Sequence, residues 1–206
     1  RAILRQDPDT VMIGEIRDRE TAEIAVQASL TGHLVLSTVH TNDAIGSITR
    51  MRDMKIEPFL LASTLRAVIA QRLVRRLCEA CRKPIAAPQS VATMLGIEPG
   101  ETVYEPVGCD QCSHTGYKGR IGVFEAIRID ETIRRLINDG GDEAAIAAHA
   151  FARNDSLGDA ARALVRSGQT TPAEAVRVSR RDATDPVVER AVEAVSTGSV
   201  IEADDG

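Results

Sequence analysis

The sequence predicts an α/β protein with a parallel sheet, followed by a cysteine-rich segment and a helical region. Two short apolar runs, at residues 11–13 and 34–36, are typical of buried strands, and a helical pattern separates them. Strand, helix and strand in this order form a βαβ unit, whose crossover makes the two strands parallel. Further along the chain, all four cysteines fall into two C-x-x-C pairs. These observations set the fold class.

The first predicted strand runs directly into charged residues, in the stretch "DPDTVMIGEIRD". Ligands of open α/β sheets bind at the carboxyl ends of the strands, so Glu15 is a candidate for holding Mg²⁺ or orienting a water beside a phosphate. The alternative is an ordinary ion pair between Glu15 and Arg17. A Gly-rich phosphate loop ending in Lys-Ser or Lys-Thr, which such a site needs, does not occur in the 206 residues.

The second predicted strand lies in "HLVLSTVH" and is followed by His40. Asp18 is the predicted N-cap of the helix between the two strands. Because neighbouring parallel strands end at the same edge of a sheet, we expect Glu15 and His40 to enter one crevice. His40 would donate to a terminal phosphate or simply cap the turn at "HTND". Arg5, Asp7 and Asp9 could contribute, although Asp-Pro-Asp is also a routine way to enter a strand.

The remaining chain predicts helices around a loop-dominated insert. From Asp43 the pattern is helical, and "EPFLLASTLRAVIAQRLVRRL" predicts one long helix with arginines at its C-terminal end. Helical spacing returns in "DETIRRLINDG", "DEAAIAAHAFA", "SLGDAARALVRSG" and "TPAEAVRVS". The predicted domains are 1–77 for the α/β core, 78–124 for the insert, 125–181 for the helical region and 182–206 for a mobile acidic tail.

The charge balance argues against a nucleic-acid partner. The net charge is −5, but residues 182–206 hold seven acidic residues and one basic residue, which leaves 24 basic and 23 acidic residues elsewhere. Nucleic-acid binding usually demands a strongly basic face. No stretch approaches the ~20 apolar residues that cross a bilayer, so membrane association would come through partner proteins. Since the chain begins inside a dense motif, we expect it to be a piece of a longer polypeptide.

The cysteines predict a metal site. They are Cys78 with Cys81 and Cys109 with Cys112. Four thiolates suit a tetrahedral zinc site, which has no open position and is therefore structural. Two disulfides, a redox-active pair or an iron–sulfur cluster are the alternatives, although disulfides are uncommon in a cytosolic chain. His114 is expected to be a bystander, because four thiolates already complete the tetrahedron.

The motifs together identify a family. "LRQDPDTVMIGEIRD", "GHLVLSTVHTNDA", "CEAC", "CDQC" and "TGYKGRIGVFE" occur in the order found in the ATPases that drive type II secretion and type IV pilus assembly, and the chain closely resembles them from residue 1 to about 180. The resemblance implies the C-terminal half of a RecA-like P-loop ATPase domain with an inserted tetracysteine zinc subdomain and C-terminal helices. It makes Glu15 the Walker B acid beside Mg²⁺, His40 the nucleotide-sensing histidine and the four cysteines the zinc ligands.

The resemblance also implies what the complete protein does. It would be a homo-hexamer that couples ATP hydrolysis to pilus or pseudopilus assembly and protein export. It would be cytoplasmic and recruited by partners to an inner-membrane platform, with Arg5 and Arg17 coupling nucleotide to motion. Because retraction motors of the superfamily lack the cysteine pairs, an export or assembly motor is favoured. The phosphate loop would precede residue 1, so we expect this chain alone to be inactive. The competing hypothesis is a zinc-ribbon module that binds nucleic acid or protein.

Overall fold

The computed structural model describes residues 8–179, which form two compact units. Within this range, unit 1 comprises residues 8–70 and 125–156, and unit 2 comprises residues 71–124 and 157–179. The predicted domain limits divide the chain differently and stay predictions. The candidates Arg5 and Asp7 and the acidic tail lie outside the described residues.

The described chain contains fourteen α-helices and β-strands and a 3-10 helix at Asp110–Cys112, and the predicted order of strand, helix and strand opens it. In chain order the elements are β1 (Thr10–Ile13), α1 (Arg19–Leu30), β2 (Leu34–Ser37), α2 (Ala44–Asp53), α3 (Pro58–Thr64), β3 (Ala67–Leu77), β4 (Lys83–Ala86), α4 (Gln89–Leu95), β5 (Thr102–Glu105), β6 (Tyr117–Arg128), α5 (Glu131–Asn138), α6 (Glu143–Ala150), α7 (Leu157–Arg166) and α8 (Pro172–Ser179).

The βαβ unit of unit 1 confirms the predicted parallel pairing. β1 and β2 pair in parallel from Thr10 opposite Leu34 to Ile13 opposite Ser37. Asp18 caps α1 as predicted, because its Oδ1 accepts a hydrogen bond from the Thr21 backbone N–H at 2.9 Å. The carboxyl ends of β1 and β2 therefore lie side by side at one edge of the sheet, which is the arrangement that the candidate site needs.

The two faces of this small sheet differ. Val11 is buried, and Val35 opposite it packs against the core of unit 1. On the other face, Met12 is 76% exposed, and its partner Leu36 and the nearby Leu34 are also exposed. Parallel sheets are normally covered on both faces. Within the described residues, only one face of this sheet is covered.

Helices surround the covered face. The core of unit 1 contains apolar residues from α1, α2, α3, α5 and α6, with Ile45, Ile48, Leu61, Ile133, Ile137 and Ile146 almost fully buried. The four predicted helices of the C-terminal region are all present as α5 to α8. Among the described helices, none is both long and apolar enough to cross a bilayer.

The single long helix predicted around residues 57–77 is wrong. Helix α3 ends at Thr64, the backbone of Leu65 is extended, and β3 follows. Exposure along β3 alternates from Ala67 to Val74, and the strand pairs with β6. Pairing with a strand that lies 40 residues further on outweighs the local helical spacing, which is why periodicity alone failed here. The arginines of β3 therefore do not mark a helix end.

The insert contains more regular structure than its composition predicts. β4 and β5 pair antiparallel, from Lys83 opposite Glu105 to Ala86 opposite Thr102, and α4 connects them. β6 begins in the insert and continues to Arg128, past the predicted limit at residue 124. Such short strands give little periodic signal. The expectation of a loop-dominated insert is therefore wrong for residues 83–105, while the cysteines lie in turns, the second of which includes the 3-10 helix at Asp110–Cys112.

Unit 2 also contains a buried acid, Glu174, which is 4% exposed. Its carboxylate accepts hydrogen bonds from the Arg75 backbone N–H at 2.8 Å and from the Arg177 guanidinium at 2.9 Å. The Arg75 guanidinium also stacks over the Tyr117 ring at 4.0 Å. Arg75 of β3 therefore pairs with a buried acid and an aromatic ring of its own unit, although its side chain is 56% exposed.

Candidate functional site

Glu15 and His40 meet at the carboxyl edge of β1 and β2. His40 Nε2 lies 2.8 Å from Glu15 Oε2, and Arg17 Nε donates to the same oxygen at 2.7 Å. The structure therefore brings together three of the residues that the sequence singles out. The two interpretations of Glu15 are compatible, because the ion pair with Arg17 and the contact with His40 coexist. Their catalytic roles stay predictions.

Two hydrogen bonds, one between backbone groups and one from a threonine hydroxyl, hold the two loops of this site in register. The Ile16 backbone N–H donates to the Thr38 carbonyl at 2.9 Å, and the Thr38 hydroxyl donates to the Gly14 carbonyl at 2.8 Å. Gly14 and Ile16 flank Glu15, and Thr38 lies two residues before His40. The short separation of the two functional side chains thus follows from the pairing of the loops and does not depend on the side-chain contact alone.

The site keeps Glu15 ionised, and its carboxylate is also open to solvent. The Arg17 guanidinium, with a smaller contribution from His40, lowers the pKa of Glu15 below its ordinary value. The side chain of Glu15 is 36% exposed and that of His40 is 79% exposed. An ionised, accessible carboxylate beside an imidazole can hold a hard cation such as Mg²⁺, directly or through water, near a phosphate.

One residue of unit 1 near this site was missed by the sequence analysis. Glu125 of β6 is 3% exposed, and its Oε1 accepts a hydrogen bond from the Ala44 backbone N–H at 3.0 Å. Ala44 is the first residue of α2, four positions after His40. The signal was the alternation in β6, where Val123 and Ile127 are buried and Glu125 stands between them on the same face.

The four cysteines come together in unit 2. All their Sγ atoms lie within 4.8 Å of one another, and adjacent pairs are separated by 3.8–3.9 Å. A tetrahedral zinc ion with Zn–S bonds of about 2.3 Å needs sulfur atoms about 3.8 Å apart, so the cluster fits that ion. Disulfide-bonded sulfurs would lie about 2.05 Å apart, and all four cysteines are free.

Backbone N–H groups point at the sulfur atoms. Gly108 donates to Cys81 Sγ at 3.3 Å, while Cys109 and Gly116 donate to Cys112 Sγ at 3.2 Å each. Gly108 has a φ of 103°, and a Cβ there would lie 2.6 Å from the His114 carbonyl oxygen, so this turn requires glycine. The turns thus present donors that stabilise negatively charged sulfur.

The thiols respond differently to this environment. Burial opposes ionisation of Cys112, but hydrogen bonds from the N–H groups of Cys109 and Gly116, together with those from the Cys109 and Cys81 thiols, lower its pKa to about 6. Burial raises the pKa of Cys81 to about 11. A bound cation would ionise all four sulfurs, since its charge exceeds these local effects. His114 lies 3.1 Å from Asp110 and is not among the clustered groups, as expected for a bystander.

A family model described as "Type II/IV secretion system protein" matches residues 1–177. The chain belongs to this family. It is 56% identical over 184 residues to type II secretion system protein E of Aeromonas hydrophila, covering 88% of this chain and 37% of that protein. It is 50% identical over 182 residues to type II secretion system ATPase E of Vibrio cholerae, covering 87% and 36%. The chain thus spans a little over a third of the length of these curated relatives.

Two solved structures of ATPase motors or ATPases are similar to this chain in fold. The pilus retraction motor PilT with bound ADP matches with a TM-score of 0.62 at 26% identity, covering 92% of this chain and 44% of that chain. The DotB ATPase of Legionella pneumophila matches with a TM-score of 0.56 at 20% identity, covering 97% and 42%, and supports the fold alone. The predicted fold class, a C-terminal portion of an α/β motor ATPase with a four-cysteine insert and C-terminal helices, is confirmed.

Proposed function

We propose that this chain is the portion of a secretion-motor ATPase that carries the acid beside Mg²⁺ and the histidine that senses nucleotide. The observation that carries the proposal is the 2.8 Å contact between Glu15 and His40 at the carboxyl edge of β1 and β2. Relatives at 50–56% identity are named as proteins or ATPases of type II secretion. The complete protein would therefore hydrolyse ATP.

Each residue of the site has a distinct role in this proposal. Bound MgATP would supply the phosphoryl group that is transferred to water and the Mg²⁺ that neutralises charge on the phosphate oxygens. Glu15, kept ionised by Arg17, would hold the cation or orient the attacking water. His40 would donate to the terminal phosphate and release it after hydrolysis.

The chain by itself is proposed to be inactive, because it contains no phosphate loop. The test measures ATP binding and hydrolysis with Mg²⁺ in two proteins, the 206-residue chain and the same chain extended upstream through a phosphate loop. Activity in only the extended protein supports the proposal. Tight ATP binding and turnover by the short chain would overturn the assignment of its catalytic residues.

We propose that the cysteine cluster holds zinc with a structural role. Four sulfur donors within 4.8 Å of one another, three pairs of them 3.8–3.9 Å apart, and N–H groups directed at them support this choice. The zinc would close the turns of unit 2 and would take no part in hydrolysis, because four thiolates leave no open position. Metal analysis of the purified chain should find one zinc per chain. A brown protein containing iron and sulfide would support a cluster instead.

The complete protein is proposed to act as a homo-hexamer. Partner proteins would recruit it from the cytoplasm to an inner-membrane platform, where hydrolysis would drive assembly of pilus-like subunits and export. The names of the relatives support the secretion machinery as the setting. Native mass spectrometry of the extended protein with ATP and Mg²⁺ tests the hexamer. A protein that stays monomeric at every nucleotide state would contradict it.

A further inference from the structure

Glu125 is a buried acid in unit 1 that the proposed hydrolysis does not use. Burying a carboxylate costs free energy unless hydrogen bonds compensate for lost water. Its Oε1 accepts from the Ala44 backbone N–H, and this atom pair lies 81 positions apart in sequence. The carboxylate therefore reaches from β6 to the loop that carries His40.

The cap of α2 does not account for this contact. Asp43 already caps the helix, because its Oδ1 accepts from the Gly46 backbone N–H at 2.7 Å. Helices α1, α5 and α6 likewise begin at an aspartate cap. Each of these four helices thus has one aspartate as its cap, and at α2 the buried Glu125 accepts from a further N–H of the first turn.

His40 stands between two anchored ends of its loop. The near end, Thr38, forms hydrogen bonds with Gly14 and Ile16, the residues that flank Glu15. At the far end, the backbone N–H of Ala44 donates a hydrogen bond to the Glu125 carboxylate. Between them the imidazole is largely exposed, with Glu15 as its contact in the site. The position of His40 therefore depends on where both ends of the loop are held.

We propose that Glu125 is a positioning residue that holds the loop of His40 against Glu15 through the backbone N–H of Ala44. This inference deepens the proposed function, on which its catalytic consequence rests. Glu125 does not touch nucleotide in this proposal. It acts by keeping the imidazole within hydrogen-bonding distance of the Glu15 carboxylate.

The first test is spectroscopic and does not need ATP. In the 206-residue chain, imidazole ¹H–¹⁵N correlations and the contact between His40 and Glu15 are compared for wild type, Glu125→Ala and Glu125→Gln. We expect Glu125→Ala to shift the His40 signals and weaken the contact, and Glu125→Gln to restore most of both, because an amide oxygen can still accept from Ala44. The matched control is Glu174→Ala, which removes an equally buried acid that also accepts a backbone N–H but belongs to unit 2.

A folded Glu125→Ala chain with unchanged His40 signals would overturn the proposal, as would equal shifts in Glu174→Ala. If Glu125→Ala fails to fold, the milder Glu125→Gln and a Glu125→Asp variant, whose shorter side chain draws the carboxylate back from Ala44, keep the test decisive. We expect Glu125→Asp to shift the signals of His40 more than Glu125→Gln does.

The second test uses the protein extended upstream. We expect Glu125→Ala to lower kcat by about tenfold to a hundredfold with little change in KM, since misplacing a catalytic group affects the chemical step. The double variant with His40→Ala should lose no more than His40→Ala alone. Additive losses would contradict a role through His40. An inactive wild-type extended protein would refute the proposed function, while the spectroscopic result would still decide the role of Glu125.

Discussion

The two candidate sites of the chain differ in how much of each the described residues contain. The cysteine cluster of unit 2 has four sulfur donors at the spacing of a tetrahedral ion, together with the N–H groups that stabilise them. The Glu15 and His40 pair of unit 1 is exposed and lies beside a sheet whose second face is uncovered. The difference indicates that two nearby turns can present a whole set of candidate metal donors, whereas the proposed nucleotide site has only two strand ends among the described residues.

The largest expected effect concerns the cysteine cluster. Replacing Cys112 with serine, or removing zinc with a chelator, should lower the unfolding midpoint of unit 2 by more than about 10 °C, because metal binding contributes directly to folding. Thermal unfolding with metal analysis measures both effects. His114→Ala is the matched control and should keep one zinc per chain. Loss of zinc in His114→Ala would break the assignment of four sulfur ligands.

The next effect concerns the acid of unit 1. In the extended protein, we expect Glu15→Gln to lower kcat about a hundredfold to a thousandfold, because a neutral amide holds the cation and orients the attacking water less well than the carboxylate does. Steady-state ATP hydrolysis measures it. The control is Glu23→Gln, which removes another surface acid paired with an arginine, since Arg19 lies 2.7 Å from Glu23. Equal losses of kcat in both variants would contradict a catalytic role for Glu15.

A smaller effect concerns the buried Glu174 of unit 2. Glu174→Gln should lower the free energy of unfolding by about 2–3 kcal/mol at neutral pH, since it weakens charge-assisted hydrogen bonds. Although burial opposes ionisation, hydrogen bonds from Arg177 and Arg75 lower the pKa of Glu174 below its ordinary value of 4.5. Its contribution is thus present above pH 4.5 and is lost as the pH falls through the lowered value.

Denaturant unfolding at several pH values tests this prediction. The gap between wild type and Glu174→Gln should narrow as the pH falls from neutral to below 4.5. Glu79→Gln, which removes an exposed acid beside Arg76, should give no measurable change at any of these pH values. A gap that stays constant into acid would mean that the charge of Glu174 does not stabilise the fold.

The smallest expected effect is the change in the free energy of unfolding when a residue on the exposed face of β1 is replaced, compared with one on its buried face. Met12→Thr should change the free energy of unfolding of this chain by less than about 0.5 kcal/mol, because the side chain is largely exposed. Val11→Thr, on the buried face, should cost about 1–2 kcal/mol, because it buries a hydroxyl. In a protein with the rest of the relatives' length, we expect Met12→Thr to become costly as well. If Met12→Thr still changed the free energy of unfolding of the longer protein by less than about 0.5 kcal/mol, this face of the sheet would be exposed there as well.

Local patterns predicted much of unit 1 and failed where pairing over long distances decides. The Asp18 cap, α1 and the parallel strands β1 and β2 follow from short-range signals, and all are present. The stretch at residues 67–77 has helical spacing but forms β3, because β6 supplies a strand partner that no local window contains. Glu125 escaped notice for the same reason, since its importance depends on Ala44, far away in sequence.

The sequence by itself determined the family, the position of Glu15 at the end of a strand and the four cysteines of the cluster, because these lie in contiguous motifs whose spacing carries their chemistry. Only the tertiary structure decided that Glu15 and His40 lie 2.8 Å apart, that residues 67–77 form a strand and that a buried carboxylate reaches the loop of His40. The physical reason is that hydrogen bonds and burial join residues that are neighbours in space, and a linear pattern records only neighbours along the chain.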